Sequence, residues 1–249
     1  MKVETFETPQ DAAKALAGEV AELIRTRAAE GKNVVLGLAT GATPLPFYAE
    51  LVRMHKEEGL SFANVISFNL DEYSGLDRDH PESYWYFMHT NLFNHIDIKP
   101  ENINLPSGTV KDDEIAAHCA AYEQKIKDCG GIDLQILGIG RTGHIGFNEP
   151  CDHFPVMTHE VKLTEMTREA NKRFFSSIDE VPTAAVTMGV GTVMAARKIV
   201  MVITGADKAD ILYKVFFGPV TPEVPGSILQ FHPDVTLICD EAAAARMPQ

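Results

Sequence analysis

Five short apolar runs, each followed by a turn-prone loop and most leading into a helix-length amphipathic stretch, leave this 249-residue chain few possible architectures. The runs are Val34 to Leu38, Val65 to Phe68, Leu134 to Leu137, Ile199 to Ile203 and Val235 to Cys239. Strands this apolar are buried on both faces, which is the condition of a parallel sheet covered by helices. Helical segments lie between them. Thr8 offers a capping oxygen, Pro9 fits a first helical turn, and Ala12, Leu16, Val20 and Leu23 recur at helical spacing until Gly31. Pro44 opens a second helix running to about Gly59, and Asp113 to Lys127 and Lys208 to Phe216 repeat the pattern. The expectation is an α/β fold, a doubly wound, mostly parallel sheet flanked by helices, forming a single domain over residues 1–249 without repeats or linkers. Ligands in such sheets sit outside the carboxyl ends of the strands, so the loops after Leu38, Phe68, Leu137 and Ile203 should converge.

Charge narrows the partners. With 22 basic against 35 acidic side chains, the net charge of -13 repels nucleic acid and anionic membrane surfaces. An anionic ligand must therefore meet a local cationic site. No apolar stretch has signal-peptide or membrane-span character, which predicts a cytoplasmic protein. Cys119, Cys129, Cys151 and Cys239 form no C-x-x-C pair and are expected as reduced thiols, with neither a zinc site nor a disulfide framework.

Three loops carry chemistry. The first, from Leu36 to Pro44, places small residues between a strand and a helix start, where free N–H groups favour phosphate. An ordinary glycine turn would read the same way, and the lack of G-K-[ST] excludes a Walker loop. The second, F-N-L-D-E-Y-S-G from Phe68 to Gly75, sets Asp71 and Glu72 after a buried strand. Either could be a general base held rigidly at a strand end, or a turn cap. The third, from Gly138 to Pro150, begins as G-x-G-x-x-G at Gly138, Gly140 and Gly143, but Gly146 and Asn148 to Pro150 forbid the helix a dinucleotide site needs. That leaves His144 and Glu149, a histidine near a carboxylate suited to proton transfer at neutral pH. Arg173 and Lys208 are candidate phosphate ligands. His80, His118 and His232 read as surface residues.

In order along the chain, F-N-L-D-E-Y, H-P-E-S-Y at His80 to Tyr84, G-H-I-G-F-N-E-P, A-N-K-R-F-F, L-Q-F-H-P and C-D-E resemble the glucosamine-6-phosphate deaminase family from Val34 to about Glu241. The resemblance implies one deaminase-like α/β domain that converts glucosamine 6-phosphate and water to fructose 6-phosphate and ammonium, with no metal or organic cofactor. It makes Asp71 the base that moves a proton from C-2 to C-1, and His144, supported by Glu149, the ring opener. Gly41, Ala42, Thr43, Arg173 and Lys208 would grip the phosphate. Thr142 stands where many relatives carry Asp or Asn beside the histidine, so it enters the site as a weaker hydroxyl partner. Asp152 to Lys162 lacks the basic pair resembling the activator site of allosteric members, which implies no such activation and leaves monomer, dimer and hexamer open.

The rival enzyme is 6-phosphogluconolactonase, a similar sugar-phosphate protein; the F-N-E-P loop argues against it. A non-catalytic sugar-phosphate sensor would keep the phosphate loop but has no use for Asp71, His144 and Glu149 together. The sequence also holds no evident helix-turn-helix or basic patch.

Overall fold

A computed structural model describes residues 1–248. Among them, seven parallel strands form the central sheet: β1 (Lys2–Phe6), β2 (Val34–Leu38), β3 (Val65–Asn69), β5 (Ile103–Asn104), β6 (Leu134–Leu137), β9 (Lys198–Ile203) and β10 (Val235–Asp240), in the spatial order β1-β10-β9-β6-β2-β3-β5. All five apolar runs became strands of this sheet. Its two edge strands were not foreseen, because β1 alternates in exposure and β5 is only two residues long.

Helix α1 (Pro9–Ala29) starts as its sequence dictates: Thr8 Oγ1 accepts the Asp11 N–H at 3.1 Å, and Pro9 takes the first turn. Helix α2 (Leu45–Glu58) ends at Gly59, whose φ of +69° is left-handed backbone that glycine adopts without strain. Strand alternation splits the core. Leu36, Leu38, Leu134 and Ile136 face α1, α2 and α3 (Tyr84–Asn91), packing on Leu16, Phe47, Leu51 and Met88. Val35, Phe68, Leu137 and Met201 face the opposite layer, made from α4 (Ile115–Asp128), α6 (Val190–Met194), α7 (Ala209–Phe217) and α8 (Glu241–Ala244). Burying helices on both faces is what the double winding accomplishes.

The winding reverses between neighbours β2 and β6: from β2 the chain builds outward through β3 and β5, and from β6 through β9 and β10. The crevice at such a reversal is where open α/β sheets bind ligands. The first and third loops begin there, at Leu38 and Leu137. A feature outside the sequence expectation is a second, three-stranded antiparallel sheet of β4 (Asp71–Tyr73), β8 (Ala184–Thr187) and β7 (His159–Lys162), in the order β4-β8-β7. It joins the end of β3, since the Leu70 N–H reaches Leu38 O at 3.0 Å and the Met188 N–H reaches Leu70 O at 2.7 Å.

Candidate active site

Asp71 and Glu72 are neighbours in β4 with opposite fates. Glu72 turns toward α3, where its Oε1 accepts the N–H groups of Tyr73 and Tyr84 and its Oε2 that of Trp85, each at 2.9 Å. It fills the first-turn donors of that helix, while Ser83 Oγ accepts the Tyr86 N–H at 3.0 Å. Burial pushes the Glu72 carboxyl up, and the three donors and Arg78 work against that shift. The Asp71 carboxyl accepts no hydrogen bond among the described residues, and only 6% of the residue is exposed. Burial, aided by the Glu72 charge, pushes its carboxyl from 3.8 to about 8. The residue pattern by itself left open which acid is the cap and which the base, and only the family resemblance pointed to Asp71 as the base. The hydrogen bonds give the cap to Glu72 and leave Asp71 free.

Aromatic rings pack around the next-but-one residue of the strand, Tyr73. Tyr73 packs on Tyr84, Phe147 and Phe175 with centroids 4.9, 5.4 and 5.9 Å apart, and Tyr84 stacks on Phe147 at 6.0 Å. His80 stacks on Phe175 at 6.2 Å. Motifs far apart in sequence, H-P-E-S-Y, F-N-E-P and N-K-R-F-F, thus meet in one cluster around Tyr73, two residues from Asp71.

The glycine-rich bend reaches the same place through its glycines. Gly146, with φ +57°, lies so close to β8 and β4 that a Cβ there would stand 2.6 Å from Thr187 Oγ1 and 3.4 Å from Asp71 Oδ2. The Phe147 N–H donates to Thr187 Oγ1 at 3.1 Å and locks the approach. The His144 ring lies against Gly140, where a Cβ would collide with the imidazole at 2.0 Å. Only a glycine leaves room for the ring there. No helix follows Gly143, in agreement with the rejected dinucleotide reading.

Within the bend, Thr142 Oγ1 is 2.9 Å from His144 Nδ1 and donates to Glu149 Oε2 at 3.1 Å, whereas Nδ1 and Oε2 are 3.4 Å apart. Since the hydroxyl gives its proton to Glu149, it accepts from Nδ1–H, which leaves Nε2 with its lone pair free. The hydroxyl, expected as a weaker partner of the histidine, thus bridges His144 and Glu149. Glu149 Oε1 accepts from Thr167, a residue the sequence reading missed. Burial would raise the Glu149 carboxyl, but His144, Thr167 and Thr142 outweigh it and hold the group below its ordinary value.

On the opposite side of the crevice, Lys208 Nζ donates to Ile139 O at 3.0 Å, tying the fourth loop to the third. Burial lowers the affinity of Lys208 for its proton; Asp207 opposes this, and the positive charges of Arg141 and Arg173 add to it. Arg173 and Lys208 therefore lie within electrostatic reach of one another, with Arg141 as a third cation the sequence reading did not select. Gly41 has φ +99°, and Ala42 and Thr43 line a cavity of about 200 Å³ with Gly138 and Thr204. The first, third and fourth loops converge there. Pro9, Leu16 and Phe47 make its inner wall apolar, and none of Asp71, His144 and Glu149 borders it, so it is the rear of the first loop and not the reaction site. His232, expected at the surface, is only 6% exposed and lies 2.8 Å through Nε2 from Ala196 O, a core histidine. The four cysteines are free. Cys151, Asp152 and His153 lie close enough to share an ion, but as three adjacent residues on an exposed loop.

A family model described as glucosamine-6-phosphate isomerases/6-phosphogluconolactonase matches residues 7–237. The chain belongs to that family. Within the glucosamine-6-phosphate isomerase/6-phosphogluconolactonase family it is 51% identical over 230 residues to a glucosamine-6-phosphate deaminase of Thermoanaerobacter pseudethanolicus, covering 92% of this chain and 90% of that one. A glucosamine-6-phosphate deaminase of Clostridium novyi is 47% identical over 247 residues, covering 99% of this chain and 100% of the relative. Among solved structures, a monomeric glucosamine-6-phosphate deaminase superposes with a TM-score of 0.93 at 43% identity over 98% of this chain and 99% of that one. The 6-phosphogluconolactonase of Trypanosoma brucei shares the fold at a TM-score of 0.75 but only 18% identity, over 99% and 98% of the two chains.

Proposed function

We propose that the chain is an enzyme of amino-sugar catabolism that converts glucosamine 6-phosphate and water to fructose 6-phosphate and ammonium. The observation that carries the reading is a buried, unpartnered carboxyl, Asp71, against the same glycine-rich bend that carries a histidine whose Nδ1 is held by a hydroxyl and a carboxylate. The near-neutral carboxyl suits proton abstraction from carbon, and the buttressed imidazole suits proton transfer at oxygen.

His144 Nε2 takes the anomeric hydroxyl proton and returns a proton to the ring oxygen, which opens the pyranose to the aldehyde. Glu149 and Thr142 stabilise the imidazolium that forms. Asp71 removes the C-2 proton, giving an enolamine, and delivers a proton to C-1. Water then adds at C-2 and ammonia leaves, so the ketone of fructose 6-phosphate remains. Arg173 and Lys208, with the backbone of Gly41, Ala42 and Thr43, hold the phosphate and supply the cationic patch that an acidic protein needs. These transfers require no metal ion or organic cofactor. No helix among the described residues is long and apolar enough to cross a membrane, and a cytoplasmic setting suits a phosphorylated substrate.

The test is to incubate the purified protein with glucosamine 6-phosphate and quantify both products. Ammonium and fructose 6-phosphate should form in equal amounts. Hydrolysis of 6-phosphogluconolactone without ammonium release from glucosamine 6-phosphate would favour the lactonase, and binding without turnover the sensor.

A further inference from the structure

Each oxygen of Glu149 is taken by a threonine, and the two threonines come from different parts of the molecule. Thr142 belongs to the same bend. Thr167 lies 18 residues further on, in helix α5 (Glu165–Asn171), and is 7% exposed. Its hydroxyl is oriented by the helix start: Thr164 Oγ1 donates to Thr167 Oγ1 at 3.1 Å and accepts the Thr167 N–H at 3.2 Å. With its acceptor side occupied by Thr164, Thr167 has its proton free for Glu149 Oε1.

Helix α5 also leads to the phosphate cations. The Arg168 guanidinium donates to Ile178 O at 2.7 Å and Val181 O at 3.1 Å, so α5 and the following turns are stapled into one piece. The chain passes from α5 directly into a tight turn, Lys172–Phe174, that carries Arg173. Arg173 is exposed, with its guanidinium 4.6 Å from the Phe174 ring centre, and its charge is felt by Lys208. Six residue steps of near-helical backbone, roughly 9 Å, take the chain from Thr167 to Arg173.

We propose that Thr167 is a positioning residue which, through α5, makes the orientation of Glu149 and His144 depend on the anion held by Arg173. An anion on Arg173 and Lys208 fixes one end of α5, and Thr167, about two turns back, then holds Glu149 against Thr142 and His144. Binding energy from the non-reacting phosphate is thereby used to set the ring-opening geometry. The proposal rests on the site reading above, with Glu149 as the support of His144.

Two measurements on the full chain test it. In the first, ammonium release from glucosamine 6-phosphate is followed for the wild type, Thr167→Val, Thr167→Ser, Arg173→Ala and the Arg173→Ala/Thr167→Val double variant. Thr167→Val should lower kcat by about tenfold or more, the scale of one hydrogen bond to a carboxylate, with KM nearly unchanged, and Thr167→Ser should restore it. The double variant should lose less in kcat/KM than the product of the two single losses, because both act through α5. In the second, the His144 imidazole signals are followed by NMR as inorganic phosphate is added. They should move in the wild type and in Thr167→Ser, and scarcely move in Thr167→Val or Arg173→Ala. Wild-type kcat in Thr167→Val, equal damage in the Val and Ser variants, multiplicative losses, or an equal phosphate response in Thr167→Val would each overturn the linkage. A wild type that releases no ammonium refutes the deaminase reading, while the phosphate response, which needs no turnover, still decides the linkage.

Discussion

Asp71 and Glu149 are both carboxylic acids at the carboxyl end of the sheet, and their surroundings drive them apart. The Asp71 carboxyl is buried with no donor, and burial, aided by the Glu72 charge, lifts it to about 8. Glu149 is half-buried, yet His144, Thr167 and Thr142 hold it below the ordinary range. Burial raises both, more completely at Asp71, and the donors around Glu149 reverse the outcome there. In the proposed reaction the acid without a donor would take the proton from carbon, and the acid with partners would stay charged to support an imidazolium.

The largest expected effect comes from removing the first of the pair. Asp71→Asn should lose on the order of a hundredfold or more in turnover while still binding substrate, because an amide cannot accept the C-2 proton. The same variant should alter stability with a definite sign. A carboxyl raised in the folded state is favoured neutral, so the stability it supports is present below the unfolded carboxyl range and is lost as pH rises toward about 8. Thermal melts should therefore find Asp71→Asn and wild type alike near pH 4, with the variant a few degrees more stable at pH 9. A variant less stable than wild type at pH 9 would contradict the desolvated environment.

A smaller effect sharpens the other half. Glu149→Gln removes a charge and should lower turnover on the cyclic substrate by roughly tenfold to a hundredfold. Thr142→Ala removes a neutral bridge, and the 3.4 Å gap between His144 Nδ1 and Glu149 Oε2 can close behind it, so about tenfold or less is expected. Steady-state rates across pH compare them directly; equal damage would show the hydroxyl to be as important as the charge.

The two halves of the site differed in how well they could be read from sequence. Strands β2 and β6 were legible because every residue of each is buried, so an uninterrupted short run marks them. Strand β7, with sequence HEVK, alternates like a surface segment, and its pairing with β8 joins residues more than twenty positions apart, which no local pattern encodes. Asp71 and Glu72 were both visible as acids after a strand. The residue pattern could not choose between them without α3, which begins beside Glu72; the resemblance alone pointed to Asp71. Thr164 marks a helix start by its spacing before Thr167, but nothing in that spacing says that Thr167 reaches back to Glu149. Arg141 sat inside the loop already singled out. Its charge toward Lys208 was the missed signal.

The separation of the two acids is directly measurable by carbon NMR titration of the side-chain carboxyls, with Asp71→Asn and Glu149→Gln used to assign the two signals. The account predicts that Asp71 titrates near pH 8 and Glu149 below the ordinary glutamate range. An Asp71 that titrates near pH 4, or two acids that titrate together, would contradict it.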